Sequence, residues 1–132
     1  MIDTQPNERR CATMTETHIL DLPECCPVSK NPRPGSTIEI TYTPGRCYLE
    51  VASLKKYIGT YRGGRGEVRS MEGMIQAIAQ DCANAVGRRV DVEAKLNLVP
   101  EQRMILRCLA EPQKHVNHER SKAEKQLFDG HR

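Results

Sequence analysis

The stretch that decides the fold runs from Ser70 to Leu98 and reads SMEGMIQAIAQDCANAVGRRVDVEAKLNL. In its first part, apolar residues recur at intervals of three and four, which predicts an amphipathic helix. This apolar stripe consists of Met71, Met74, Ile75, Ile78, Ala79, Cys82, Ala83 and Val86. Ser70 is a suitable N-cap and Gly87 a suitable C-terminal cap, so the helix is expected between them.

From Val90 onward, apolar and polar residues alternate strictly, which predicts a strand with one buried face. The apolar members are Val90, Val92, Ala94, Leu96 and Leu98. After a turn at residues 99–102 the alternation resumes through Met104, Leu106 and Cys108. The two strands are therefore expected to form an antiparallel hairpin.

Working outward toward the N-terminus, the same two patterns appear in the opposite order. Residues 37–43 alternate as a strand, Pro44 and Gly45 supply a turn, and residues 46–51 are expected to return as the second strand of a first hairpin. A shorter helical pattern then begins at Ser53 and ends before Gly63. Together these segments predict an α+β protein with the order ββααββ and antiparallel strands.

The ends of the chain are predicted to lie outside this domain. Residues 1–17 are polar without a periodic apolar pattern, which predicts a loose arm, and residues 18–110 are expected to hold the ordered domain. The charged residues 111–132 predict a disordered tail or a frayed helix. Within the domain, the proline- and cysteine-rich residues 19–34 predict a rigid, irregular loop.

Composition limits the compartment and the partners. A net charge of +3 is too small to indicate nucleic acid by itself. No run approaches the ~20 apolar residues that span a bilayer, and no secretory signal is apparent, so a cytoplasmic protein without membrane contact is expected. The six cysteines are then expected to be mostly thiols, and since none has C-x-x-C spacing, no metal is expected. With one Phe and no Trp the core is lean, which favours oligomerisation.

One cysteine stands in a setting that favours reactivity. Cys26 precedes Pro27 in a stiff loop, close in sequence to Lys30 and Arg33, whose positive charges would favour the thiolate. A thiolate held by a stiff backbone is a good covalent nucleophile. The alternative interpretation is a small buried hydrophobic residue, and local context alone does not separate Cys26 from Cys25.

Two glutamates each have two interpretations. Glu72, at the start of the long helix, either pairs with the helix dipole or accepts hydrogen bonds from the amidine-like edge of a guanine-type base. Glu50, late in a strand, has the same two interpretations. The glycine-rich residues 63–66 lack a dinucleotide-binding fingerprint and are interpreted as a mobile loop.

The chain resembles a known family in two motifs and one position. Residues 23–32, PECCPVSKNP, resemble a segment ending in Cys-Pro-x-Thr-x-x-Pro, and residues 50–57, EVASLKKY, are similar to a Glu-Ser-Lys-Ser-Leu-Lys-x-Tyr signature. Both motifs belong to the small, single-module 7-cyano-7-deazaguanine reductases, tunnelling-fold proteins of queuosine biosynthesis, a tRNA modification. Counting back from the strand at Val90 places Glu72 on the family's base-anchoring glutamate. The resemblance covers roughly residues 23–109.

The resemblance implies a concrete chemistry and assembly. Cys26 would attack the nitrile carbon to form a thioimide, and two hydride transfers from NADPH would give the aminomethyl product. Tunnelling-fold subunits of this family form an oligomeric barrel, a homo-oligomer with its sites between subunits. The implied substrate-binding residues are Leu49, Glu50, Val51, Met71 and Glu72. The implied cofactor-binding residues are Ser53, Lys55 and Tyr57.

Three departures from the family pattern keep two alternatives open. Arg33 stands where the family has a proton-donating aspartate, Ala52 where it has the first signature lysine, and Met71 where it has a histidine. A related branch adds ammonia to a 7-cyano-7-deazaguanine already in tRNA, without NADPH, and Arg65 and Arg69 would then contact phosphates. The other alternative is a non-catalytic tunnelling-fold protein, or one that acts on a different purine or a pterin.

Overall fold

The structure, a computed structural model, describes residues 1–113. The elements in chain order are β1 (Thr4–Pro6), β2 (Glu16–Asp21), β3 (Arg33–Tyr42), β4 (Cys47–Leu49), α1 (Val51–Gly59), α2 (Met71–Val86), β5 (Val90–Leu98) and β6 (Gln102–Ala110). All strand pairs are antiparallel. The predicted α+β class, with two helices between antiparallel strands, is confirmed.

Four of the strands form one sheet in the order β2-β3-β5-β6, and both helices lie in the connection between its two central strands. The alternation predicted for β5 is observed, because Val90, Val92, Ala94 and Leu96 are all buried. The apolar stripe of α2 packs on β5 and β6 to form the core. Each fully buried aliphatic side chain there contributes roughly 1.5–3 kcal/mol relative to an exposed one.

The ends of α2 lie where the sequence predicts them. The Ser70 side chain accepts the main-chain N–H of Gly73 at 2.9 Å, which satisfies one of the free amides of the first turn. Gly87 ends the helix with φ of 69°, a left-handed conformation that favours glycine. Helix α1 begins two residues earlier than predicted, at Val51, with Glu50 as its N-cap.

The strand pairing predicted for the first hairpin is wrong. Strand β3 pairs with β2 on one side and β5 on the other, whereas β4 pairs with β1, with Thr4 opposite Leu49. Strand β2 escaped the prediction because two of its three inward residues, Glu16 and His18, are polar. Glu16 and His18 pair with each other, with His18 Nε2 at 2.8 Å from Glu16 Oε1. The Tyr42 hydroxyl also donates a hydrogen bond to Glu16.

The expected loose arm also requires correction. Residues 1–17 contain β1 and the first two residues of β2. Main-chain hydrogen bonds hold β1 in place: the Asn7 N–H donates to the Arg46 carbonyl at 2.8 Å, and the Glu50 N–H donates to the Asp3 carbonyl at 3.0 Å. Such bonds need no apolar side chain, so a hydrophobic pattern cannot reveal them.

The irregular loop is shorter than predicted. Ile19 belongs to β2, while Arg33 and Pro34 belong to β3, so the loop spans residues 22–32. Pro34 is tolerated because the pairing of β3 with β5 is interrupted by a register shift between Arg33 and Thr37. Of the predicted tail, residues 114–132 lie outside the described residues. Within residues 1–113, neither helix is long and apolar enough to cross a bilayer.

Candidate active site

Cys26 lies at the start of a tight turn in the loop between β2 and β3. The Lys30 N–H donates to the Cys26 carbonyl at 2.9 Å, and the Ser29 N–H donates to the Cys26 sulfur at 3.3 Å. Hydrogen bonds from the Ser29 hydroxyl, and then from the main chain of Ser29 and Val28, lower the pKa of the Cys26 thiol. Cys26 is partly exposed, so this sulfur is accessible as well as polarised toward the thiolate.

The source of this activation differs from the one expected. Hydroxyl and amide donors of Ser29 and the amide of Val28 stabilise the thiolate, rather than the charges of Lys30 and Arg33. The Arg33 guanidinium is instead paired with Glu24, at 3.3 Å from its carboxylate oxygen. The Cys-x-x-Ser spacing was visible in the sequence, because serine forms local hydrogen bonds with positions three residues earlier.

The structure separates the two adjacent cysteines. Cys25 has no exposed surface, and its sulfur lies 3.7 Å from the Ser70 carbonyl, to which it donates. Burial, and then the nearby charge of Cys26, raise the pKa of the Cys25 thiol. Cys25 therefore has the setting of a structural residue and Cys26 the setting of a nucleophile.

Contacts of the cysteine loop place it beside the start of α2. Apart from the Cys25 contact with Ser70, the Gly63 N–H donates to the Glu24 carbonyl at 3.0 Å, which joins this loop to the glycine-rich segment. Glu72 is exposed in the first turn of α2, two positions after Ser70, and Met71 is half-buried. The predicted nucleophile and the predicted base-binding glutamate are thus carried by segments that contact each other.

A second cluster of predicted residues lines a groove along α1. The groove has a volume of about 900 Å³. Its lining consists of Met1, Asp3, Glu50, Ala52, Ser53, Lys55, Lys56, Tyr57 and Thr60. Four predicted residues, Glu50, Ser53, Lys55 and Tyr57, are therefore brought together, whereas Cys26 and Glu72 are not part of this lining.

Glu50 already has hydrogen-bond partners within the chain. Its carboxylate accepts the N–H of Ser53 at 2.7 Å and the N–H of Ala52 at 3.1 Å, so it caps α1. Its neighbours differ in exposure, because Leu49 is buried and Val51 is 68% exposed. Of the two interpretations of Glu50, the structure displays the capping one.

The hydroxyl of Ser53 is also engaged. It accepts the main-chain N–H of Asp3 at 2.6 Å and donates to the Met1 carbonyl at 3.5 Å. Residues 1–3 therefore lie beside the start of α1, and Met1 and Asp3 form part of the wall of the groove. Sequence reasoning missed this wall because the contact uses the main chain of Asp3 and Met1.

Tyr57 is a core residue whose ring lies at the edge of the groove. It is only 2% exposed, and its hydroxyl is bonded to the Tyr61 hydroxyl at 2.9 Å and donates to Asp81. Burial, and then the hydrogen bond to Asp81, raise the pKa of Tyr57 far above its usual value. The Arg65 guanidinium lies 5.3 Å from the ring centroids of both tyrosines, within range of a cation–π interaction.

Some features of the groove fit an NADPH site and others do not. Its volume suits a cofactor, and the exposed Lys55 and Lys56 could pair with phosphates. Ala52, however, brings no charge, and the Ser53 hydroxyl is occupied by residues 1–3. Binding of a phosphate at Ser53 would require that segment to move.

Comparison with known proteins adds no assignment. No protein-family model matches the chain, and no significant match was found among curated proteins. Within residues 1–113, no three His, Cys, Asp or Glu side chains are grouped as a metal site would require. The function of the protein is therefore inferred from the geometry around Cys26 and along α1.

Proposed function

We propose that this protein is a nitrile oxidoreductase that acts on 7-cyano-7-deazaguanine through a covalent thioimide at Cys26. The observation that carries the proposal is the contrast between two adjacent thiols. The Cys26 sulfur is partly exposed and accepts the Ser29 N–H, whereas the Cys25 sulfur is buried. A nitrile carbon is an electrophile that such a thiolate can attack.

The proposed reaction begins with an addition to the nitrile. The Cys26 thiolate forms a bond to the nitrile carbon, one carbon–nitrogen π bond breaks, and the nitrogen takes up a proton. Reduction of the thioimide to the aminomethyl product then consumes two hydrides and one further proton and releases the thiolate, so the whole reaction takes up two hydrides and two protons. NADPH supplies the hydrides when it is bound. Because Arg33 replaces an acid and is paired with Glu24, the protons come from solvent.

The substrate base is held by the start of α2 in this proposal. The Glu72 carboxylate is exposed in the first turn of α2, at the positive end of the helix dipole. A carboxylate can accept two hydrogen bonds from the amidine-like edge of a deazaguanine. Met71 and the chain at Leu49–Val51 lie beside the base.

The proposed assembly is a homo-oligomeric barrel of tunnelling-fold subunits. The four-stranded antiparallel sheet supports that fold, because both helices lie in the connection between its two central strands, β3 and β5. In the described residues β2 and β6 have no strand partner on their outer edges, and pairing between subunits would satisfy both. Because Cys26 and the α1 groove are separate in one subunit, neighbouring subunits complete each other's sites. We place the oligomer in the cytoplasm.

A second candidate function is an amidine-forming enzyme that adds ammonia to the same nitrile in tRNA. Two observations favour it: residues 1–3 engage the Ser53 hydroxyl, and Ala52 offers no cation for a cofactor phosphate. This reaction keeps Cys26 and Glu72 and needs no hydride. The exposed Arg69 and the half-buried Arg65 would then lie near the phosphates of the nucleic acid.

The deciding experiment is the intact mass of the protein after incubation with 7-cyano-7-deazaguanine in the absence of NADPH. An increase by the ligand's mass is expected, and it should be absent from Cys26→Ala but present in Cys25→Ala. Addition of NADPH or of ammonia then separates reduction from amidine formation. If the folded protein forms no adduct, it is a non-catalytic purine or pterin binder or an enzyme for another substrate.

A further inference from the structure

Asn31 joins two turns: the one formed by residues 26–30, here called the Cys26 turn, and the one between β5 and β6. It is 6% exposed, and its side chain pairs with a single residue, Val99. Its Nδ2 donates to the Val99 carbonyl at 3.0 Å, and its Oδ1 accepts the Val99 N–H at 2.9 Å. The side-chain amide therefore bonds Val99 as a neighbouring strand would, and both its polar ends are satisfied.

The main chain of Asn31 contacts both ends of the Cys26 turn. Its carbonyl accepts the N–H of Cys25 and the N–H of Cys26, each at 2.9 Å. Its own N–H donates to the Ser29 hydroxyl at 3.3 Å. Ser29 in turn donates its N–H to the Cys26 sulfur, so two hydrogen bonds connect Asn31 to the reactive atom.

The turn needs such support from outside. Lys30 has φ of 65°, a left-handed conformation that is unfavourable for a residue with a side chain. A turn with an unfavourable residue persists only where the surrounding contacts determine its shape. The pairing of Asn31 with Val99 provides a contact of this kind immediately after Lys30.

We infer that Asn31 is a positioning residue for Cys26: its bonds to Val99 hold the turn in which the Ser29 N–H faces the Cys26 sulfur. This inference rests on the proposed function for its purpose, since a positioned sulfur matters if Cys26 is the nucleophile. Asn31 does not touch the reacting atoms itself. It acts through the shape of the turn, and it couples that shape to the β5–β6 connection.

The test is the pH profile of Cys26 alkylation by iodoacetamide in the wild type, Asn31→Ala and Asn31→Leu. Cys11, Cys25 and Cys26 fall on one tryptic peptide, so the modified residue must be assigned by peptide fragmentation. Loss of the bonds to Val99 should move the profile to higher pH and slow alkylation at neutral pH about three- to tenfold. Asn31→Leu keeps roughly the size of the side chain, removes both polar ends and adds no charge near the thiolate, so it carries the test if Asn31→Ala does not fold.

Ser36→Ala is the matched control. Ser36 is fully buried, and its hydroxyl also bridges two segments, donating to the Arg33 carbonyl at 2.7 Å and accepting the Asn97 N–H at 2.9 Å. Its loss should lower the melting temperature without moving the Cys26 profile. The inference is overturned if both Asn31 variants keep the wild-type profile, or if Ser36→Ala shifts it equally. Alkylation involves no nitrile, so a missing substrate adduct would overturn the proposed function and leave this inference standing.

Discussion

The main-chain N–H of Asp3 donates to the Ser53 hydroxyl at 2.6 Å, so a residue at the start of the chain is bonded to the first turn of α1. Together with the main-chain bonds of β1 and the half-buried Ile2, which packs against the core, this contact holds residues 1–6 in place. It also places these residues at a position where a phosphate of the proposed NADPH would compete with them.

Replacing Ser53 by Ala should loosen this segment. The Asp3 N–H loses its acceptor, and the expected decrease in the free energy of unfolding is about 0.5–1.5 kcal/mol, the usual contribution of one hydrogen bond. Hydrogen exchange at the Asp3 amide should accelerate, while exchange in α2 stays unchanged. An unaltered Asp3 rate would mean that the pairing of β1 with β4 alone holds the segment.

Replacing Glu50 by Ala should destabilise α1. The carboxylate caps two free amides, and loss of such a cap lowers the free energy of unfolding by ~0.5–2 kcal/mol. Glu50→Gln retains an acceptor oxygen and should recover part of the loss, as measured by urea denaturation. If both variants are as stable as the wild type, the cap contributes little.

Replacing Glu72 by Gln should weaken base binding without a comparable loss of stability. Hydrogen bonds to a charged group contribute ~1.5–3 kcal/mol, so calorimetric affinity for 7-cyano-7-deazaguanine should fall accordingly in a Cys26→Ala background. Glu67→Gln, which also removes an exposed carboxylate, is the control. Unchanged affinity in Glu72→Gln would leave this residue only its interaction with the helix dipole.

Tyr57 should make the fold sensitive to alkali. Its pKa is raised in the folded state, so the folded protein keeps the proton that the unfolded chain loses above about pH 10. The stability from this proton is therefore present at lower pH and decreases as the pH rises beyond that value. Tyr57→Phe should show a shallower loss of melting temperature between pH 9.5 and 11, roughly the range set by a free tyrosine. An equally steep loss would assign the effect to other groups.

The elements with a strong apolar period could be predicted from the sequence, and those held by polar contacts could not. Helix α2, with Ser70 and Gly87 at its ends, and the β5–β6 hairpin follow from side-chain patterns that burial imposes. Strand β2 was missed because Glu16 and His18 point inward and are paired there. Strand β1 was missed because it is held by main-chain hydrogen bonds.

The candidate site likewise has a part that could be predicted from the sequence and a part that could not. The prominence of Cys26 could be anticipated from the proline-stiffened loop, but its separation from Cys25 depends on which thiol is buried by the chain around Ser70. The contribution of Asn31 could not be anticipated, because its partner Val99 is distant in the sequence. Long-range pairings of this kind are not encoded in any local pattern.

The position of Met1 has a practical consequence for protein production. Its carbonyl accepts the Ser53 hydroxyl and its sulfur is 3.6 Å from the Arg65 guanidinium, so a tag fused ahead of it would emerge directly at the wall of the α1 groove. Such a fusion would introduce foreign peptide where a dinucleotide or a neighbouring subunit is proposed to bind. Ligand affinity and particle mass should therefore be compared before and after tag cleavage, since the two preparations can differ in both.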